Sequence, residues 1–318
     1  MGDMVGINTD SIELLIKIFK KDKLDENLYK AFMGTKGVRE FLSHEKIMGR
    51  PVSIRDFKGE IKRAVENSDY EDGYGFYVFK NNLGRIEEDI KDIKRSVNPI
   101  IKEAKRKVYK VVPKSMPIST DIKLYWGGMD GGFTLKRSEI YINYRRYFGN
   151  REEFIKILSH EMYHARKISI KNRGKFLLST ILKENRLLYK TVGRIIEEGL
   201  ALIVQHGPDL KEDDITETLT KSNLVLVREE FNILNDVLWD IKAGEGSVKV
   251  KYLNIYVIGY FIISLIYKES GIGSLNHWTV DLNYRRIIKE YVEICNKKGI
   301  SPNIEGAIIR WILKERGI

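Results

Sequence analysis

The sequence has very few residues that could cross-link a fold. Of its 318 residues only one, Cys295, is a cysteine, which excludes a disulfide framework and any zinc cluster built from several cysteines. Prolines number 6, and hydrophobic residues make up 43% of the chain. That apolar share is enough for a sizeable core and excludes wholesale disorder, so we expect a folded protein of one large or two modest domains.

Long hydrophobic runs are also missing. The longest stretch without a charged residue runs from Tyr252 to Tyr267, whereas a membrane-spanning helix needs about 20 apolar residues. The first residues of the sequence lack the pattern of a secretory signal. The sequence therefore predicts a cytoplasmic protein with no membrane partner.

Acidic residues are the minority among the charged ones. Lysine and arginine outnumber aspartate and glutamate by 55 to 44, so the formal net charge is +11. This balance permits a nucleic acid or an anionic membrane as a partner without requiring either. Basic pairs such as Arg145-Arg146 and Arg285-Arg286 lack an interleaved aromatic platform, which favours solvated helix faces over a nucleic-acid surface. One possible function is therefore that of a basic protein that binds a nucleic acid or another partner, in which any metal site is vestigial or structural. It is the alternative to the enzyme that the motifs below predict.

Hydrophobic periodicity divides the chain into a helical part, a short strand-rich part and a second helical part. Residues 1–104 show helical spacing, which Pro99 interrupts between Arg85 and Ala104. Short alternating runs then predict strands at 108–112, 121–126, 133–135 and 139–143. The last two are joined through a turn at Lys136-Arg-Ser, and we expect a small, mostly antiparallel sheet.

From Asn150 to the end the pattern is helical again. Asn150 is a suitable N-cap, and Glu152 and Glu153 follow in the first turn, where the helix dipole favours carboxylates. Further helices are predicted over 175–206, 211–242, 249–269, 283–298 and 303–316. The fold class is therefore α+β. We predict a helical N-terminal region over 1–104 and a second domain over 105–318, in which 105–170 holds the sheet and 171–318 is a helical subdomain.

Two of the five histidines lie in one short motif in the first helix after Asn150. Residues 160–164 read H-E-M-Y-H, which has the form H-E-x-x-H. Residues four apart share a helix face, so both imidazoles can bind one metal ion. Glu161 lies beside the first histidine and can take a proton from a water that zinc has acidified to a pKa of about 7. The motif predicts zinc bound by His160 and His164, with Glu161 as general base.

A catalytic zinc site needs a third protein ligand and an open position, and a second motif supplies a carboxylate. Residues 194–201 read R-I-I-E-E-G-L-A and contain Glu197 and Glu198. H-E-x-x-H followed by E-G-L-A resembles the gluzincin metallopeptidases, the clan of thermolysin and the zinc aminopeptidases. That resemblance implies that Glu198, directly before Gly199, is the ligand, and that Gly199 lets its helix approach the motif helix closely. Glu197 is the alternative ligand.

The same resemblance suggests a group that stabilises the oxyanion. Tyr256-Val-Ile-Gly259 resembles the Y-x-x-G helix of zinc aminopeptidases, whose tyrosine hydroxyl has this role. Tyr252, Tyr260 and Tyr163 are alternatives to Tyr256. A tyrosine in an apolar helix can equally be a core residue whose hydroxyl is satisfied locally.

Two further segments are candidates for binding a substrate. Phe133, Thr134 and Leu135 form a candidate edge strand, along which an extended peptide could add as a further strand. An ordinary hairpin strand is the alternative for these residues. Gly128-Met129-Asp130 resembles the segment of zinc aminopeptidases that binds a free N-terminus, but the pattern favours a glycine-rich turn.

These residues predict a zinc-dependent peptidase. The resemblance implies a zincin-like core with an active-site helix, Zn²⁺ as cofactor and a peptide or protein as substrate. Glu161 would deprotonate the water and then pass the proton to the leaving amine, while Tyr256 would hold the oxyanion. A zinc hydrolase acting on a non-peptide amide is a further alternative.

Overall fold

The computed structural model describes residues 6–67, 69–119, 121–135 and 138–314. The start of the chain, where no secretory signal is expected, and the first two residues of the predicted Lys136-Arg-Ser turn lie outside these ranges. The chain divides into two compact units. The first holds the described residues up to Lys105 together with Ile118–Ala165, and the second holds Arg106–Pro117 together with the residues from Arg166 onward. The domain boundary predicted at residue 104 stays a prediction.

The first unit combines a small sheet with helices. Its strands are β1 (Gly6–Asn8), β2 (Asp121–Tyr125), β3 (Gly132–Leu135) and β4 (Glu139–Asn143). Its helices are α1 (Asp10–Phe19), α2 (Glu26–Gly34), α3 (Lys36–Ile47), α4 (Ile54–Glu66), α5 (Phe76–Asn81), α6 (Leu83–Arg95), α7 (Val97–Val108, which ends in the second unit) and α8 (Arg151–His164). The helical character predicted for 1–104 is confirmed in the described residues except at β1.

The sheet is mixed, so the prediction of a mostly antiparallel sheet was wrong. Its strand order is β1-β2-β4-β3, with β1 and β2 parallel, β2 and β4 parallel, and only β3 and β4 antiparallel. After the first residue of β2 and of β4 every residue is buried, as is typical of parallel strands covered on both faces. Alternation in a sequence does not encode strand direction, and the three-residue β1 is too short to show a pattern.

The strand β3 lies at the edge of the sheet, as the sequence predicted. Its Phe133 ring stacks on Tyr141 with 4.9 Å between ring centroids, and on His44 with 4.0 Å. Neighbouring residues of a strand point to opposite faces of the sheet. Thr134 therefore points to the other face, against which α8 packs.

The predicted strand at 108–112 is wrong, and the predicted break at Pro99 is displaced. α6 ends at Arg95 and α7 begins at Val97, so Pro99 lies in the first turn of a helix, where its missing N–H needs no partner. Val108 ends α7, and Val111 and Val112 follow in a turn whose backbone N–H groups donate to the Val108 carbonyl. All three valines are buried, so packing overrides their local preference for a strand.

The second unit is helical in the residues described. Its helices are α9 (Ile170–Ser179), α10 (Lys183–Leu188), α11 (Arg194–His206), α12 (Lys221–Val225), α13 (Val227–Lys242), α14 (Ile255–Thr279), α15 (Tyr284–Lys298) and α16 (Gly306–Lys314). A π-helical turn, Tyr189–Gly193, joins α10 to α11, and a 3₁₀ turn, Val248–Tyr252, precedes α14.

The predicted helices of this unit are confirmed with differences in their bounds. The helix over 303–316 begins at Gly306, and its predicted residues 315–316 lie outside the described ranges. The helix over 175–206 is interrupted between Ser179 and Lys183. The helix over 249–269 instead begins at Ile255, and a kink at Gly271, whose φ is 68°, separates it from a further helical segment that ends at Thr279. The helix over 211–242 begins only at Lys221.

The ten residues before α12 form a loop around a buried carboxylate. The side chain of Asp214 accepts hydrogen bonds from the Gln205 side chain (2.6 Å) and the Thr216 backbone N–H (2.7 Å), and it pairs with His206 (3.0 Å). Burial works against ionisation of Asp214, but the hydrogen bonds from His206 and Thr216 outweigh it and lower its pKa to about 2. These side-chain contacts hold a loop where periodicity alone predicts a helix.

One helix of the described residues, α14, is long and apolar enough to cross a membrane by length and composition. The sequence predicts no such segment, because its longest uncharged run ends at Tyr267. A buried core helix of a soluble protein meets the same criterion. α14 packs against α11, α13 and α15, so its contacts are those of a core helix.

Candidate metal centre

The helix α8 carries the H-E-x-x-H motif at its C-terminal end. Asn150 caps the helix as predicted, because its side chain accepts a hydrogen bond from the Glu153 backbone N–H. His160 is 8% exposed, and His164 is the last residue of the helix and is partly exposed. The helix therefore presents one buried imidazole and one imidazole at its end.

The two imidazoles point at the same place. Their Nε2 atoms are 3.2 Å apart, and the ring planes are inclined at 67°. Two nitrogens bound to one tetrahedral zinc at the usual distance of about 2.0–2.1 Å are about 3.3 Å from each other. The spacing of the two rings fits a shared zinc ion.

The carboxylate of Glu161 is held by the edge strand. The Thr134 hydroxyl lies 2.8 Å from Glu161 Oε2 and 3.1 Å from the Glu161 backbone carbonyl oxygen. A Cβ atom placed on Gly132 would come within 3.3 Å of Glu161 Cγ, so β3 passes directly over this side chain. Glu161 is only 5% exposed. The structure thus joins Thr134, which the sequence proposed for substrate binding, to the predicted general base.

Both oxygens of Glu197 are engaged within the second unit. Arg166 donates to Oε1 and Oε2 of Glu197 at 2.6 and 2.8 Å, and the Trp278 indole N–H donates to Oε2 at 2.6 Å. Arg166 also donates to the Thr279 carbonyl oxygen at 3.2 Å and is 1% exposed. This buried ion pair explains why a charged residue, Arg166, closely follows the H-E-x-x-H motif. It also gives Glu197 a structural role.

The helices α11 and α14 cross at two glycines, Gly199 and Gly259. A Cβ atom on Gly199 would lie 2.3 Å from the Gly259 carbonyl oxygen, and one on Gly259 would lie 2.2 Å from the Ile195 carbonyl oxygen. Only glycine at both positions permits this contact. The close contact of Gly199 is with α14. The approach of its helix to the motif helix stays a prediction.

This crossing also lies beside the predicted metal ligand on α11 and the predicted oxyanion-stabilising tyrosine on α14. Glu198 directly precedes Gly199, and Tyr256 lies one turn before Gly259 on the same face of its helix. The glycine-to-glycine contact thus sets the positions from which Glu198 and Tyr256 project.

The alternatives to Tyr256 have different surroundings. Tyr260 is buried and donates a hydrogen bond to the Gly207 carbonyl oxygen at 2.9 Å, and burial raises its pKa to about 12. Tyr252 is 65% exposed in the turn before α14. Tyr163 is fully buried on α8. Tyr256 is partly buried at the start of α14.

A second cluster of ligand-type side chains lies in the first unit, at His44, Glu45 and Asp130. Arg50 donates to both Glu45 (2.7 Å) and Asp130 (2.6 Å), and His44 contacts the same Asp130 oxygen at 2.8 Å. Hydrogen bonds from His44 and Arg50 lower the pKa of Asp130. Because Arg50 already supplies a cation to both carboxylates, this cluster is satisfied as an ion-pair network.

The left-handed φ of 74° at Gly128 confirms the glycine-rich turn before Asp130.

Sequence reasoning missed three contacts of this region. They are the hydrogen bond from Thr134 to Glu161, the ion pair of Arg166 with Glu197, and the pairing of Gly199 with Gly259. Each joins residues at least 27 positions apart. Arg166, a charged residue two positions after the motif, was the one signal in the sequence that pointed to a buried partner.

Among the residues described, His160, His164 and Glu198 form a group that could hold one metal ion. Two imidazole nitrogens and one carboxylate oxygen are a donor set that zinc accepts, and they leave an open position in a tetrahedral site. These features define a protein with a candidate metal centre beside a buried carboxylate.

The chain belongs to the family described as "Putative zinc dependent peptidase (DUF5700)", whose model matches residues 29–299, more than half of the chain. The chain matches no curated protein and no solved structure. The family description agrees with the metal predicted from the H-E-x-x-H motif.

Proposed function

We propose that this chain is a zinc-dependent peptidase in which His160, His164 and Glu198 hold the metal. The observation that carries the proposal is the grouping of these three side chains, which could hold one ion. The 3.2 Å spacing of the histidine Nε2 atoms supports it, because two nitrogens on one tetrahedral zinc have about this separation. When bound, zinc polarises a carbonyl and acidifies a coordinated water.

Glu161 is the general base in this proposal. Its carboxylate accepts a proton from the attacking water and then passes that proton to the leaving amine. The Thr134 hydroxyl donates to Glu161 Oε2, so it holds one oxygen of the carboxylate and leaves Oε1 to carry the proton. Thr134 therefore acts as a positioning residue for the base.

The edge strand β3 and Tyr256 complete the proposed site. One side of β3 has no strand neighbour in the described part of the chain, so an extended peptide can add there along Phe133, Thr134 and Leu135. Tyr256 is proposed to donate a hydrogen bond from its hydroxyl to the oxyanion. Its place beside the Gly199–Gly259 crossing supports this role. The assignment to the gluzincin clan, with a zincin-like core, belongs to the same proposal.

The third ligand is tested by changing the two neighbouring glutamates separately. Glu198→Gln is expected to weaken zinc binding by at least about 100-fold, because the neutral amide replaces an anionic ligand. Glu197→Gln is expected to retain zinc. It should lower the free energy of unfolding by about 2 kcal/mol, because the buried Arg166 loses its charged partner. Zinc titration and urea unfolding of both variants measure these effects.

Glu197→Gln serves as the matched control, since it makes the same chemical change one residue away. Loss of zinc from Glu197→Gln, with zinc retained by Glu198→Gln, would reverse the ligand assignment. Retention of zinc by both variants would remove α11 from the metal site.

A further inference from the structure

The helix α9 exposes an unusual amount of apolar surface. Ile170 is 88% exposed, and Leu177 and Leu178 are 63% and 58% exposed. In the turn that follows, Ile181 and Leu182 are 68% and 61% exposed. None of the residues of α9 is buried, although the helix has ten residues. A surface of this size on a soluble domain commonly marks an interaction site.

The apolar side of α9 faces away from the rest of the second unit. Asn172 donates to the Val280 carbonyl oxygen at 3.0 Å, and the Phe176 ring packs on Tyr189 with 4.1 Å between centroids. At 100° per residue, Ile170 and Leu177 lie on the opposite side of the helix from these two anchoring residues. The helix is thus attached by its polar and aromatic side and presents its aliphatic side outward.

The charged residues of this segment itself all have one sign, and the carboxylate that contacts α9, Asp281, accepts a hydrogen bond from Asn172 on the attached side of the helix (3.4 Å). From residue 167 to residue 183 the sequence has no aspartate or glutamate and five cations, which are Lys167, Lys171, Arg173, Lys175 and Lys183. All five are exposed. By helical position Arg173 borders one side of the aliphatic stripe, and Lys171 and Lys175 border the other. Their flexible side chains can keep the charge in water while the aliphatic residues are covered.

Aliphatic residues bordered by cations on both sides are suited to the boundary between lipid headgroups and acyl chains. The aliphatic side chains enter the boundary, and the cations meet anionic phosphates. A second copy of this chain is a poor occupant, because a symmetric contact would bring five cations against the same five. Charge complementarity therefore favours an anionic surface that is also apolar beneath its headgroups.

We propose that residues 167–183 form a membrane-docking segment that binds the surface of an anionic phospholipid bilayer. This proposal departs from the sequence-based prediction of no membrane partner, which rested on the lack of a membrane-spanning run. Docking on a surface needs no such run. The proposal uses no residue of the metal centre, so it stands or falls independently of the peptidase activity.

The test is co-sedimentation of the full chain with lipid vesicles. Vesicles of phosphatidylglycerol and phosphatidylcholine in equal parts are compared with vesicles of phosphatidylcholine alone, at low and at physiological ionic strength. We expect binding to the anionic vesicles that weakens with salt, and little binding to the neutral ones. The double variant Leu177→Glu/Leu178→Glu should bind anionic vesicles at least about tenfold more weakly.

The control is the double variant Val225→Glu/Leu226→Glu, which makes the same charge change at two adjacent apolar residues that are 78% and 51% exposed at the end of α12. It should bind anionic vesicles within about twofold of the original chain, because its changes lie outside the segment. Thermal unfolding of both variants verifies that they fold.

Three results would overturn the proposal. The first is no sedimentation of the chain with anionic vesicles. The second is an equal loss of binding in both double variants, which would mean that only the overall charge matters. The third is a change of oligomeric state in Leu177→Glu/Leu178→Glu with vesicle binding intact, which would make a second copy of the chain the occupant.

Discussion

A Glu161→Gln variant is expected to keep its zinc and to hydrolyse peptides with a kcat lower by about 10³-fold. Glutamine has nearly the same shape as glutamate, but its amide cannot accept the proton of the attacking water. The side chain is 5% exposed, and the Thr134 hydroxyl can donate to an amide oxygen as it does to Oε2. The variant should therefore place the side chain correctly and lack only the base. The measurement is kcat at equal zinc content.

A matched change on the same helix is Glu152→Gln. Glu152 lies in the first turn of α8, and its side chain is 79% exposed. This variant should keep full activity and full zinc content. Normal turnover by Glu161→Gln would show that another group removes the proton, and the general-base role assigned to Glu161 would be wrong.

The second large effect is expected from Gly199→Ala. The added Cβ would lie 2.3 Å from the Gly259 carbonyl oxygen, so α11 and α14 would have to move apart along their contact. We expect a loss of about 3 kcal/mol in the free energy of unfolding, which exceeds the gain of about 1 kcal/mol from replacing glycine by alanine in a helix. Zinc affinity should fall as well, because Glu198 directly precedes the altered residue. Urea unfolding and zinc titration measure both effects.

The control for this prediction is Gly174→Ala. Gly174 also lies inside a helix, α9, but a Cβ there would meet no atom within 4 Å. Only the helix preference of alanine should then act, and stability should stay the same or rise by up to about 1 kcal/mol. If Gly199→Ala were as stable as Gly174→Ala, the close crossing of α11 and α14 would be contradicted.

The sequence predicts the parts of the candidate site that depend on local geometry. The spacing of four between His160 and His164 determines that both rings share one helix face, and Asn150 and the two glutamates after it mark the start of that helix. The positions of the three strands before the motif were also readable, as was the place of β3 at the edge of the sheet. In each case the signal lies within a few residues of the feature that it predicts.

The remaining parts depend on contacts between distant residues. The choice between Glu197 and Glu198 could be made from the sequence only by resemblance. The structure adds a physical reason, because Arg166 and Trp278 engage both oxygens of Glu197. Strand direction was predicted wrongly because it also depends on pairing between distant residues, and hydrophobic alternation is identical in parallel and antiparallel strands. The valines at 108–112 favour a strand locally, but they are buried at the end of α7 and in the turn that follows.

The zinc content of the full chain, purified without chelators or added metal and then dialysed, tests the central claim most directly. The account predicts about one zinc per chain, and none in a His164→Ala variant that is still folded. A chain that contains no zinc and takes up none on titration would contradict the account, because the His160, His164 and Glu198 group would then not be a zinc site.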